Sequence, residues 1–160
     1  MPKLPSPYRP RTLAPIPRLE GLDYDVLDDL IGYTLRRAQV AMFLAFHDAT
    51  RGMEITPPRF TALVVVGANP GISQTTLGNV LGIARSGAMT LTDWFEERGL
   101  VERRRRPNDG RAWGLHLTRR GDRFVARMKR QVLQRDFKRA AVLNSSERGE
   151  LLRLLNKLAG

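Results

Sequence analysis

The chain has 160 residues, with 27 Lys and Arg against 16 Asp and Glu, and its formal net charge of +11 calls for an anionic partner: nucleic acid, an acidic membrane or an anionic ligand. The length suits one domain or one compact subunit with two lobes, and an apolar fraction of 42% is that of a folded protein. The lack of cysteine excludes disulfides, thiolate zinc sites and cysteine redox sensing. Five prolines in the first fifteen residues leave no apolar run for a signal peptide, and the longest apolar stretch, TALVVVGA, is too short to span a bilayer; a cytoplasmic protein without a membrane partner is expected.

Residues 1–21 are proline-rich and predict an extended arm, read either as packed across a second subunit or as a free tail. From Leu22 to about Ala49 runs a helical pattern, with Leu22, Val26, Leu30, Thr34, Ala38, Ala41 and Ala45 on one stripe. Asp23, Asp25, Asp28 and Asp29 fall near its N-terminal end, where the macrodipole favours acids. Next, Thr56-Pro57 opens a helix that Asn69-Pro70-Gly71 ends. Ser73 caps a short helix with Leu77, Val80 and Leu81 facing inward and Gly82 as its stop. ARSGAMTLTDWFEERG makes the following helix, with Ala88, Leu91 and Phe95 inward. Leu100 to Thr118 reads as a hairpin: Trp113, Leu115 and Leu117 alternate with smaller or polar residues, and Pro107-Asn108-Asp109-Gly110 supplies the turn. Thr118 caps a long helix to about Arg139, with Phe124, Met128, Val132 and Phe137 as inward candidates. Asn144 to Glu147 has the pattern of a capping box before a last helix striped by Leu151, Leu154, Leu155 and Leu158.

The fold class expected is mainly α with a small β-hairpin wing: a winged helix-turn-helix at residues 56–118, and a helical dimerisation region from residues 22–55 and 119–160. The terminal helices are too apolar for a monomer of this size to bury, so a homodimer is the economical solution. Charge is segregated as well. Arg98 to Arg139 holds 15 basic and 4 acidic residues, while the rest of the chain is close to neutral. The run Arg103 to Arg106, with Arg111 across the turn, would repel itself unless phosphates offset it through counterion release. Arginine also suits a narrow, electronegative minor groove.

LTDWFEERGLVERRRRPNDGRAWGLHLTRRG resembles the wing region of the MarR (multiple antibiotic resistance regulator) family. The resemblance rests on Arg98-Gly99-Leu100-Val101, Asp109-Gly110-Arg111 and Leu117-Thr118-Arg119-Arg120-Gly121, and the element order agrees over residues 22–158. It implies a homodimeric regulator that binds double-stranded operator DNA, more often a repressor, released by a small ligand. By that resemblance the helix from Ala84 is the recognition helix, and Arg85, Ser86, Met89 and Thr90 reach base edges in the major groove. Arg85 either pairs with guanine or contacts phosphate. Ser73, Gln74 and Thr75 are phosphate contacts at a helix N-terminus. In the wing, Arg103 and Arg105 follow the backbone, and Arg111 is the tip arginine, with Asp109 either orienting it or serving the turn. Two departures stand out: Gly87 replaces a larger residue and Ala84 a capping one.

Tyr33, Arg36, Arg37, Phe43 and His47 on the first helix, with Phe60 on the next, combine aromatic walls and cations. They suit an aromatic acid or, with phosphates to hold, its coenzyme A thioester; the other reading makes the arginines ordinary ion pairs and the phenylalanines core. GYTLRRAQ is also similar to family members that respond to aromatic-acid breakdown. No cofactor, metal site or catalysis is expected. His47 and His116 are the only histidines, and GANPGISQTTLG lacks the P-loop lysine and spacing. The competing class is a basic RNA-binding or ribosome-associated protein, which would usually expose more aromatics for base stacking.

Overall fold

The computed structural model describes residues 14–106 and 109–160, and side chains over that range except 106–112. The expected turn at Pro107-Asn108 and the side chains of Asp109 and Arg111 lie outside the described residues. The elements are α1 (Ile31–Ala49), α2 (Pro57–Ala68), α3 (Gln74–Leu81), α4 (Arg85–Glu97), β1 (Val101–Arg106), β2 (Asp109–Leu117), α5 (Arg119–Arg139) and α6 (Ser145–Ala159). Short 3-10 turns occupy Asp25–Asp28 and Ala140–Val142. The fold is mainly α, with one antiparallel hairpin behind a helix-turn-helix, as the pattern of elements predicted.

The first helix begins nine residues later than its apolar stripe suggests. Asp23 accepts the Asp25 backbone N–H at 2.9 Å, and Asp25 sits at φ +46. Aspartate side chains compete with helix by bonding nearby amides, and here they hold a turn. Arg18 pairs with Asp28 and lies 4.4 Å over the Tyr24 ring, while Tyr24 OH accepts the Leu19 N–H at 3.0 Å. The acidic cluster thus organises the approach to α1 instead of lying within its first turn.

The chain forms two compact units: the described residues up to Asp48 with Arg135–Gly160, and Ala49–Gln134. The second unit holds a closed core of Leu63, Val66, Leu77, Ala88, Phe95, Leu115 and Met128, each at most 2% exposed. Caps mark its helix starts unevenly. Ser73 accepts the Thr76 N–H at 3.0 Å, and Gly82 ends α3 in the left-handed region. Thr56 takes the N-cap position of α2 and Ala84 that of α4, both without a side-chain cap. Val80, expected inward, is exposed, and Leu91 is only half-buried.

The joint between α4, the hairpin and α5 explains why Gly99, Leu100, Thr118 and Gly121 occur together. Gly99 turns the chain at φ +61. The Leu100 carbonyl accepts the Thr118 N–H at 3.1 Å. Thr118 Oγ1 donates to the Gly99 carbonyl at 2.6 Å and accepts the Gly121 N–H at 3.0 Å, so one hydroxyl caps α5 and ties it to the end of α4. A Cβ on Gly121 would sit 2.0 Å from the Leu100 carbonyl oxygen. The glycine is required by close approach of backbones.

In the first unit the capping box before α6 forms as expected. Asn144 accepts the Glu147 N–H at 3.0 Å, and Glu147 accepts the Asn144 N–H at 2.8 Å. No residue of α6 is buried. Leu151, Leu152, Leu154 and Leu158 are exposed, as are Leu22, Leu30, Ile31 and Leu35 toward the other end of the chain. Phe137, an inward candidate, is 50% exposed under the Arg148 guanidinium.

Candidate nucleic-acid interface

Three stretches of the second unit carry the expected DNA contacts. At the start of α3, Thr75 is exposed, Ser73 uses its oxygen for the cap, and the Gln74 side-chain nitrogen is buried with no hydrogen-bond partner among the described residues. The N-terminal half of α4 presents Arg85, Ser86, Met89 and Thr90, all exposed, while Thr90 Oγ1 donates back to the Ser86 carbonyl at 3.1 Å. Ala88 and Thr92 turn the other way and are fully buried. The helix therefore displays its polar face free of the unit's core.

Gly87 sits on that displayed face. A Cβ there would meet Ile83 at 3.7 Å, an ordinary contact. Gly87→Ala is expected to raise stability by about 0.5 kcal/mol, since alanine loses less conformational entropy in a helix. Urea unfolding monitored by circular dichroism checks the sign; a lower midpoint would contradict it.

On the hairpin, Val101 pairs with Leu117, Arg103 with Leu115 and Arg105 with Trp113. Arg103 bends toward α4, bonding Asp93 at 2.8 Å and also Glu96. Those two carboxylates make it a tie between wing and recognition helix. Arg104 bonds Glu102 of its own strand at 3.1 Å through Nε. Arg105 stays exposed, 5.6 Å over the Trp113 ring. So the three arginines of the run whose side chains are described divide: one braces α4, one pairs locally and one remains outward.

A second brace was not legible in the sequence. The Trp94 ring of α4 lies between two guanidiniums, Arg59 of α2 at 3.8 Å and Arg98 at 3.9 Å. Glu54 accepts from Arg98 at 2.7 Å, and its backbone carbonyl accepts from Arg59 at 2.9 Å. The hydrogen bond from Arg98 holds the Glu54 carboxyl below the usual carboxylate range. Burial, then the Arg98 charge, pushes the Arg59 guanidinium down from its ordinary value, with Glu54 opposing. Cation–π contacts on both ring faces fix α4 against the start of α2.

The expected ligand residues are placed unevenly. Arg37 donates to the Ile16 carbonyl at 3.2 Å and lies 5.8 Å over Tyr33. Arg36 and His47 are exposed and Phe43 is half-buried, all on α1, while Phe60 lies in α2 of the other unit. Within the first unit a cavity of about 730 Å³ is lined by Arg37, by Ala38, Ala41 and Leu44, and by the Pro15–Pro17 segment. Arg135, Lys138 and Arg139 add three cations to its wall, which Thr34, Ala45 and Asp48 also line. Sequence reasoning missed these three cations; their signal was the basic end of α5.

The MarR family model matches residues 53–112, from the loop before α2 to the wing. A proposed transcriptional regulatory protein for the hcr operon of Thauera aromatica is 36% identical over 129 residues, 80% of this chain and 78% of that one. The chain belongs to the MarR family. Among solved structures, the MarR-like fold is shared with the transcriptional repressor CouR bound to a 23-mer DNA duplex. The identity is 36%, covering 87% of this chain and 99% of that one, with a TM-score of 0.80. CouR bound to p-coumaroyl-CoA matches at 34% identity, covering 86% and 97%, with a TM-score of 0.75. Its MarR relatives are named as regulators of transcription, and no described helix is long and apolar enough to cross a membrane.

Proposed function

We propose that this MarR-family regulator is a homodimeric repressor that grips a pseudo-palindromic operator and leaves it on binding an aromatic acid or its coenzyme A thioester. The observation that carries the reading is the exposed face of α4, set beside an arginine-bearing wing and braced from behind by Arg103 and Trp94. Arg85, Ser86, Met89 and Thr90 read bases, Thr75 and the amides that open α3 hold phosphate, and Arg105 with Arg111 follows the backbone. Asp109 orients Arg111. The division of labour is residues 1–21 as arm, 22–55 with 119–160 for dimerisation, and 56–118 for DNA.

For the effector, the cavity joins an apolar floor to four cations, Arg37, Arg135, Lys138 and Arg139, against the single carboxylate of Asp48, a balance that suits an anionic aromatic molecule. That CouR takes p-coumaroyl-CoA at 34% identity favours the thioester. Tyr33 flanks Arg37 as an aromatic wall, and Arg36, Phe43 and His47 remain candidates for the acyl end.

The test uses a duplex that the protein selects from a random-sequence pool. Its affinity is expected to fall about 1,000-fold or more between 50 and 200 mM salt, the loss typical of 6–10 phosphate contacts. Hydroxycinnamoyl and benzoyl thioesters of coenzyme A are expected to release the duplex, with the free acids as the comparison. Release by free acids alone would replace the thioester with a simple acid. A flat salt response, or preference for structured RNA at matched salt, would overturn the DNA reading.

A further inference from the structure

The hairpin face that meets the core outruns the core. Along β2, Leu117 is half-buried and Leu115 is 2% exposed, but the next residue on that face, Trp113, is 51% exposed. The backbone beneath it is fixed. A Cβ on Gly114 would lie 2.8 Å from the Gly71 backbone, and the Gly71 N–H donates to the Leu115 carbonyl at 2.8 Å. Trp113 is also the last regular cross-strand pair before the register shifts between Arg105 and Arg106. An indole is large, apolar and carries one N–H donor; at an interface it covers apolar surface while its edge meets a polar group. Among the described residues that N–H has no hydrogen-bond partner, and the ring's described neighbour is the Arg105 guanidinium at 5.6 Å.

We infer that Trp113 is a contact to the sugar–phosphate backbone of duplex DNA. The inference rests on the DNA reading above. In that reading, α4 enters one groove and the hairpin tip the next, so the outer half of the wing, where Arg105 pairs with Trp113, approaches the strand between them. The Trp113 face covers deoxyribose and its N–H donates to a phosphate oxygen, while Arg105 reaches a neighbouring phosphate independently of the ring. Deoxyribose supplies apolar surface at every nucleotide, so the contact adds affinity without sequence preference. The arginine chemistry of the wing gains a neutral component that salt does not screen.

The protein's two tryptophans, Trp94 and Trp113, make the test direct. In a Trp94→Phe protein, Trp113 is the sole tryptophan, and with excitation selective for indole, titration with the selected duplex should change its fluorescence saturably. Trp113→Val should weaken duplex binding at least tenfold while leaving the salt slope within about half an ion of wild type. Arg105→Ala should lower that slope by about one. Trp113→Phe should weaken binding by about threefold, since a ring remains but the N–H donor to phosphate is lost. Thermal unfolding of each variant shows whether it is folded at the assay temperature, and Trp113→Phe keeps the test open if Trp113→Val is not. The inference alone is overturned if wild type binds with a steep salt slope, Trp113→Val binds within twofold of it, and Trp113 emission stays constant. Absence of duplex binding by wild type overturns the DNA reading together with it.

Discussion

Gly121→Ala is expected to destabilise the winged unit by about 3 kcal/mol, the upper part of the range for overpacking a closed site. The added methyl would lie 2.0 Å from the Leu100 carbonyl oxygen. That oxygen is backbone and cannot swing away as a side-chain tip would. It is also fixed by the Thr118 N–H, whose own hydroxyl spans Gly99 and Gly121. Relief would require α5 to move away from the end of α4, breaking the cap at Thr118. At the usual 2–4 °C per kcal/mol for a chain of this size, the midpoint should fall by roughly 6–12 °C. Gly87→Ala, made in the same background, is the control with the opposite sign. A Gly121→Ala protein that melts within 2 °C of wild type would mean that the joint between α4 and α5 yields easily.

What the sequence revealed was local. The order of α2, α3, α4, hairpin and α5 follows from apolar period, caps and turn residues, each set by neighbours within a few positions. The box at Asn144 and Glu147 formed because both its partners lie in one turn. What it did not reveal depends on distant pairs. The carboxylates that claim Arg103 lie seven and ten residues away across the turn from α4 to β1. Trp94 gains its two arginines from α2 and from the end of its own helix. Arg135, Lys138 and Arg139 share a cavity with Arg37 although about a hundred positions separate them in the chain, a pairing that no local pattern signals. The start of α1 was misplaced for a different reason: aspartates near an apolar stripe satisfy both a helix N-terminus and a turn, and only the positive φ of Asp25 separates the two. Phe137 shows a third limit, since helical period marks an apolar face without saying whether the chain itself covers it.

The uncovered leucines of α6 lead to the last expected result. Leu151, Leu154 and Leu158 recur at spacings of three and four, so they share one face of the helix, and each is 44–59% exposed. Lone exposed leucines are unremarkable, but a repeated stripe on one helix is the pattern of an interaction surface, and it is the face the proposed dimer would use. In the proposed dimer a second copy fills it by symmetry, each substitution then counting twice. Leu154→Asp with Leu158→Asp removes four leucines from such a dimer, and at about 1.5–3 kcal/mol each the loss is roughly 6–12 kcal/mol. That is comparable to the whole free energy of a nanomolar dimer, about 12 kcal/mol. The double variant is therefore expected to sediment as a monomer at micromolar concentration, where wild type sediments as a dimer. Its second unit should keep its fold, because the core around Leu63, Phe95 and Met128 contains no residue of α6. Duplex affinity should nevertheless fall at least 100-fold, because one wing and one recognition helix then act without a tethered twin. A double variant that still sediments as a dimer would move the interface away from this stripe. A monomer that binds the selected duplex as tightly as wild type would show that the two half-sites are not gripped together.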